Sequence, residues 1–376
     1  YEDSNQTTIT NGTTASNNNE STGSGAVYVY KRIGTTWAQE AYIKAANNGA
    51  DDRFGSSVAL SGDTLAVGAF LEDSNLTTIT NDSTASSSSD DGMHQSSGAV
   101  YIYKRTGNTW TQEAYIKAAN NNAEDWFGKS IALDKDTLAV GAIYESSNQT
   151  TITNGTSASS DNSKIKSGAV YVYKRTGNTW AQEAYIKAAN SDSWGSGDQF
   201  GYSVSLLGDT LAVGANLEDS NQNTITNGTS ASSNNDKSDS GAVYIYKRTG
   251  STWAQEAYIK AANNDNKDEF GSSLSLGKDM LAVGAINESS NQTTITNGTG
   301  ASSDNSNNKA GAVYVYRRIG TTWAQAAYIK SADNSYQDLY GGSVSFSASK
   351  LSVSAGLSWN GSSGGGGVYI YAITGD

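Results

Sequence analysis

Cysteine is absent from all 376 residues, so the chain has no disulfide, no thiolate metal site and no cysteine nucleophile. That absence does not fix the compartment, although bacterial surface proteins often lack cysteine. Histidine occurs once, at His94, which excludes a multi-histidine metal site and argues against a Ser-His-Asp triad. Proline is absent too, where ordinary usage of roughly 5% would supply about nineteen. Nothing in the sequence accounts for this. No apolar run approaches the roughly 18 residues of a membrane span. Basic residues are outnumbered, and a net charge of −12 argues against nucleic acid, which demands basic patches. Hydrophobic residues make up 36%, below the usual roughly 45–50%, and the shortfall lies in Asn/Ser/Thr-rich stretches. The start shows neither a signal peptide nor an initiator Met. Tyr1 aligns with Tyr144 inside a repeat, as expected of a processed or truncated chain.

What is present is repetition. Trp37, Trp110, Trp180, Trp253 and Trp323 recur at intervals of 73, 70, 73 and 70 residues, and Phe54, Phe127, Phe200, Phe270 and Tyr340 keep the same period. A fixed period of this length marks one supersecondary unit stacked on its copies. The repeats run over 1–53 (partial), 54–126, 127–199, 200–269, 270–339 and 340–376 (partial, a terminal cap), and are expected to form a single domain. Near-identity of the copies favours scaffold or binding over catalysis, because one active site would break the symmetry.

Residues 54–118 show one unit. Phe54-Gly-Ser-Ser-Val-Ala-Leu60 alternates apolar and small residues, as a strand does. Ser61-Gly62-Asp63-Thr64 is a tight-turn signal, and Leu65–Ala69 is small and apolar throughout, as in a strand buried on both faces. A polar stretch, 70–97, precedes a third strand, Gly98–Tyr103. Thr106-Gly107-Asn108 turns the chain into a fourth strand, Trp110–Lys117, which is more polar and expected to be outermost. Lys31-Arg32, Lys104-Arg105, Lys174-Arg175, Lys247-Arg248 and Arg317-Arg318 end third strands and read as solvated pairs. Four antiparallel strands per repeat make a β-propeller blade, so the expected fold is all-β, about five repeats of 70–73 residues in four-stranded blades, with part of a larger propeller as the alternative.

The aromatic-Gly pairs, each followed by Gly-Ala, resemble the FG-GAP repeat of integrin α-subunit propellers and of their bacterial surface and secreted relatives. The matching residues are Phe54-Gly55 with Gly68-Ala69, Phe127-Gly128 with Gly141-Ala142, Phe200-Gly201 with Gly214-Ala215, Phe270-Gly271 with Gly284-Ala285, and a degraded copy at Tyr340-Gly341. The chain departs from the family twice. Phe70, Ile143, Asn216 and Ile286 replace the motif's proline, and the family's acidic calcium loop between the first two strands is missing. Its calcium ligands therefore do not carry over.

Counting strands leaves one third strand over in a five-bladed ring. Val27, Tyr28, Val29 and Tyr30, or Val368, Tyr369, Ile370 and Tyr371, are thus candidates for assembly through an exposed edge. Asp52, Asp125, Asp198, Asp268 and Asp338 stand two residues before each aromatic-Gly pair. They read either as Asx-turn residues or as calcium ligands. Glu72, Glu145, Glu218 and Glu288 follow the second strands and would share such an ion if the two loops meet. The Asn/Ser/Thr stretches carry sequons at Asn5, Asn11, Asn75, Asn81, Asn148, Asn154, Asn227, Asn291 and Asn297, glycan sites in an exporting eukaryote or archaeon. Their repeated motif contains an isoleucine, which predicts an ordered finger on the rim. The single-copy Trp194–Gly197 and Met93-His94 read as drift in loops.

These features predict an extracellular or cell-surface, non-catalytic propeller that binds a protein or glycan through its rim loops, with calcium as the candidate ion. A filament or surface-layer subunit assembled from copies of itself is the alternative, and a carbohydrate-binding propeller or glycosidase the third reading.

Overall fold

The structure is a computed structural model that describes residues 2–83, 95–192, 197–347, 349–356 and 366–373. Met93-His94 and Trp194–Ser196 lie outside the described residues. Every regular element is a strand; no helix occurs among the described residues. The chain divides into two compact units: Tyr1–Ser147, Thr153–Ser163 and Ala169–Ile186, and Asn148–Ile152, Lys164–Gly168 and Lys187–Asp376.

In the first unit, a three-stranded sheet comprises Thr10–Asn11, Val27–Ile33 and Thr36–Ile43. Two five-stranded sheets follow. The earlier one has Ser57–Ser61, Thr64–Ala69, Ala99–Thr106 and Thr109–Ile116 side by side, with Ile79–Thr80 outside the last. The later one repeats the order with Phe127–Asp134, Thr137–Ala142, Ala169–Thr176, Thr179–Ile186 and Ile152–Asn154. The second unit contains two more five-stranded sheets. One is Ser203–Leu207, Thr210–Ala215, Ala242–Thr249, Thr252–Ile259 and Ile225–Asn227; the other is Phe270–Leu276, Met280–Ala285, Ala312–Ile319, Thr322–Ile329 and Ile295–Asn297. It also holds a three-stranded sheet of Val344–Ser347, Lys350–Ala355 and Gly367–Ala372.

Two expectations are corrected here. The full sheets have five strands, not four, and the described residues form six sheets, not five. The reason lies in the polar stretch after strand two. Its Ile79-Thr80 pairs with Ile116 and Tyr115, so strand four is no longer outermost and the finger belongs to the sheet. Turn chemistry sets the rest. Ser61 faces Thr64, and Thr106 faces Thr109, leaving two-residue loops in which Gly62 (φ 59) and Gly107 (φ 65) take the left-handed conformation that such hairpins need.

Strand two, Thr64–Ala69, is buried along its whole length. A Cβ on Gly68 would come within 2.2 Å of the Gly128 carbonyl oxygen, and one on Gly214 within 2.2 Å of that of Gly271. Gly68 and Gly214 therefore leave room for the backbone of the neighbouring sheet where a side chain would collide with it. Phe54 packs edge-on against Tyr101 and Tyr103, with centroids 5.2 and 6.2 Å away, and Phe270 does the same with Tyr314 and Tyr316. Each such fully buried ring contributes roughly 1.5–3 kcal/mol.

Each strand-three to strand-four hairpin carries a β-bulge, as where Ile102 faces Ala114 and Tyr103 faces Gln112. Glu113 is the extra residue, and a bulge re-aims its side chain. Here the carboxylate turns to the next sheet, accepting from Trp180 Nε1 at 3.1 Å and Arg175 Nη1 at 3.0 Å. Glu40 does the same for Trp110 (3.0 Å) and Arg105 (3.2 Å), and in the second unit Glu256 does so for Trp323 (2.9 Å) and Arg318 (2.7 Å). Arg105, Arg175 and Arg318, expected to be solvated, are thus inter-sheet ion-pair partners, whereas Arg32 is exposed as expected.

The assembly candidates are paired along one edge only. Val27 to Tyr30 pair with the Thr36–Ile43 strand, and Val368 to Tyr371 with Lys350–Ala355. Each forms the edge of its sheet. Val27, Val29, Tyr369 and Tyr371 are half-buried, whereas Tyr28, Tyr30, Val368 and Ile370 are exposed, the last two at 70% and 65%.

Candidate functional site

Strand four ends in Tyr-Ile-Lys, and strand alternation puts the tyrosine and lysine on one face. That face meets the turn after strand two. Glu72 accepts there from Tyr115 Oη at 2.7 Å, Lys117 Nζ at 2.6 Å and Asn47 Nδ2 at 2.8 Å. Lys117 also binds Ser97 Oγ at 2.9 Å, and Tyr101 donates to Asn47 Oδ1 at 2.6 Å. The network recurs with little change. Glu218 meets Tyr258 (2.8 Å), Lys260 (2.6 Å) and Asn190 (2.8 Å), and Glu288 meets Tyr328 (2.9 Å), Lys330 (2.7 Å) and Asn263 (3.0 Å). Glu145 accepts from Tyr185 at 2.8 Å and Asn120 at 3.0 Å. Burial pulls the Lys117 and Lys260 ammoniums down, and the paired glutamates oppose this. Burial first, and then the Glu72 charge, pushes the Tyr101 and Tyr115 phenols well up.

The aspartates sit beside these networks as turn caps. Asp52 accepts from Gly49 N at 2.7 Å, Asp125 from Asn122 N at 3.0 Å and Asp198 from Asp192 N at 3.0 Å. Asp268 accepts from Asp265 N at 3.0 Å and Asp338 from Ser335 N at 2.7 Å. Burial, followed by the Glu288 charge, pushes Asp268 up to about 8. Burial also raises Asp198, helped by Asp192 and Glu218. The Asp and Glu loops therefore do meet, as Leu71 N to Asp52 O at 3.4 Å shows directly. The donor set nonetheless does not fit calcium. A lysine ammonium lies against the carboxylate where a cation would sit, and among the described residues no group of three or more His, Asp or Glu is placed to hold a metal.

The sequon asparagines fall into two sets. Asn5, Asn75, Asn148 and Asn291 open the polar stretches and are exposed. Asn11, Asn81, Asn154, Asn227 and Asn297 end or follow the short fifth strands. Three of these side chains grip the next sheet. Asn81 accepts from Trp180 N at 2.7 Å and donates to Trp180 O at 3.1 Å. Asn11 does the same with Trp110, at 2.7 and 3.2 Å, and Asn227 with Trp323, at 2.7 and 3.2 Å. Each amide imitates one rung of a β-ladder, a role that the sequon reading did not foresee.

The residues missed from sequence are the Tyr-Ile-Lys lysines, the bulge glutamates and the inter-sheet arginines. Their only signal was strict recurrence beside the tryptophan period.

The FG-GAP repeat family matches the chain at residues 37–86, 110–173, 180–246 and 253–316, well over half of its length. The protein is thus built of FG-GAP repeats and belongs to that family. No curated protein matches it in sequence.

Proposed function

We propose that this chain is an extracellular, non-catalytic FG-GAP β-propeller domain that mediates adhesion or surface interaction through the loops following strand two. The observation that carries this is the commitment of the recurring carboxylates. Glu72, Glu218 and Glu288 are each spent on a lysine, a tyrosine and an asparagine of the fold. The first Asn/Ser/Thr stretch is anchored by Thr10–Asn11, while its Asn5, Thr7 and Thr8 are exposed. An anchored, polar, solvent-facing loop repeated along the chain suits multivalent contact with a surface. No helix in the structure is long and apolar enough to cross a membrane. The second reading, a subunit of a homopolymeric filament, draws on the edge strands Val27–Ile33 and Gly367–Ala372 with their exposed aromatic and aliphatic side chains.

The test is attachment of whole cells to surfaces coated with the protein, paired with antibody labelling of unpermeabilised source cells. Attachment that falls when the polar residues of the loops are exchanged for alanine, together with surface labelling, supports the reading. Label confined to the cell interior would contradict it.

A further inference from the structure

Where copies are nearly identical, residues that depart from their counterparts stand out. Three departures converge in the first unit. Trp126 precedes Phe127 where the other repeats have Arg53, Gln199, Glu269 and Leu339. Lys129 follows Gly128 where they have Ser56, Tyr202, Ser272 and Gly342. Phe70 follows Gly68-Ala69 where Ile143, Asn216 and Ile286 stand.

These side chains touch. The Trp126 ring lies 5.0 Å from Phe70 at 62° and 4.3 Å from Tyr144 at 40°. Lys129 Nζ is 4.2 Å from the Phe70 centroid and 5.6 Å from that of Trp126. All four residues are half-buried, so part of each reaches solvent. The backbone that presents the indole is common to the repeats. Trp126 sits at φ 56, as Arg53, Gln199, Glu269 and Leu339 sit at 60, 53, 53 and 50. Only in this repeat does that left-handed corner display an aromatic face.

Lys129 is unlike the buried lysines that end the fourth strands. Lys117, Lys260 and Lys330 each hold a glutamate carboxylate at 2.6–2.7 Å. The Lys129 ammonium has no carboxylate and no hydrogen-bond acceptor among the described residues; it rests on ring faces alone. Cation–π contact satisfies such a charge only in part. The result is a half-buried positive charge without an anion among the described residues, beside an aromatic cluster, in a chain of net charge −12.

We propose that Phe70, Trp126, Lys129 and Tyr144 form a binding site for an acidic saccharide. The C–H face of a pyranose ring would stack on the solvent-reaching part of the indole, and the ring's carboxylate would pair with Lys129. One uronate ring supplies both features at adjacent atoms, which an acidic peptide does only by ordering separate side chains, at entropic cost. This rests on the reading of the chain as a binding module and names the ligand class for one of its contacts.

The probe is a galacturonate tetramer, titrated by calorimetry against the whole chain, with its methyl ester and an Asp/Glu-rich peptide alongside. The variants are Trp126→Gln, Lys129→Ser and Phe70→Ile, residues that sister repeats carry at these positions, so folding is preserved. The expected result is saturable binding of the acidic tetramer, weakened at least tenfold by Trp126→Gln and by Lys129→Ser. Lys129→Ser should leave weak ester binding unchanged. No binding, binding unaltered in the variants, or preference for the peptide would overturn the proposal. If the titration shows no binding while the coated parent still holds cells, the saccharide assignment fails and the adhesion reading stands. If the parent holds no cells, that reading fails, whatever the titration shows.

Discussion

Replacing Lys117 by Met tests whether the Glu–Lys networks hold the sheets together. The Lys117 and Glu72 side chains are 0% and 3% exposed, and their charges lie 2.6 Å apart. Met fills most of the lysine stem's volume but removes the ammonium. The Glu72 carboxylate then keeps Tyr115 and Asn47 as donors and loses its counter-charge. Removing one partner of a buried pair costs about 3–5 kcal/mol, because the other charge stays behind in low dielectric. At ~2–4 °C per kcal/mol for domains of 150–250 residues, the first thermal transition should fall by about 6–20 °C. Pairing Lys117→Met with Glu72→Gln removes the stranded charge and keeps an acceptor for the Tyr115 hydroxyl. The double variant should recover more than half of the loss, a coupling expected between residues in direct contact. The assay is thermal unfolding followed by far-ultraviolet circular dichroism at neutral pH. A fall of under 2 °C for the single variant would refute the reasoning. So would a double variant as unstable as the single one, since that would mean packing and not charge sets the cost.

Three further outcomes follow from the same geometry. The Asp268 carboxyl is pushed up to about 8 by burial, so the folded state holds its proton more tightly than the unfolded chain. Its contribution to stability is fully present below the unfolded value near 4 and is lost as pH rises through about 8. The melting temperature should therefore decline between pH 5 and 9 more steeply in the parent than in Asp268→Asn; identical pH profiles would contradict this. Asn81→Ala deletes both hydrogen bonds to the Trp180 backbone and should cost about 1–3 kcal/mol in urea unfolding; a cost under about 0.5 kcal/mol would contradict this. Trp37 is 64% exposed where Trp110 is 2%. Trp37→Ala should thus cost under about 1 kcal/mol and Trp110→Ala about 3–5 kcal/mol, and equal costs would show that Trp37 is buried in solution.

Most of the sheet framework was legible because it rests on local chemistry. Leu65–Ala69 announces a buried strand, and Gly62 and Gly107 announce its turns. The fifth strand was not legible as such. Ile79-Thr80 is too short to show a period, and only the isoleucine hinted at order. At the candidate site, the recurring Glu72 class was visible but its meaning was not. Lys117 lies 45 residues further on in a strand that reads as polar and exposed, so nothing local pairs the two. Arg105 and Arg175 misread for the same reason. A strand-ending arginine is normally solvated, and here a bulge in the preceding sheet aims a glutamate at it. That Asp52 would hold its own turn was available from sequence because its partner, Gly49, is close in the chain, although it lies three residues back and not, as in an Asx-turn, two residues on.

The central claim is that lysine ammoniums hold the place of a cation beside the repeating carboxylates. The most direct test is a crystal structure of the chain grown in millimolar calcium, with anomalous data to reveal the ion. The account predicts Lys117, Lys260 and Lys330 on Glu72, Glu218 and Glu288, with no calcium between those glutamates and Asp52, Asp198 and Asp268. Calcium bound there, with the lysines turned away, would contradict it.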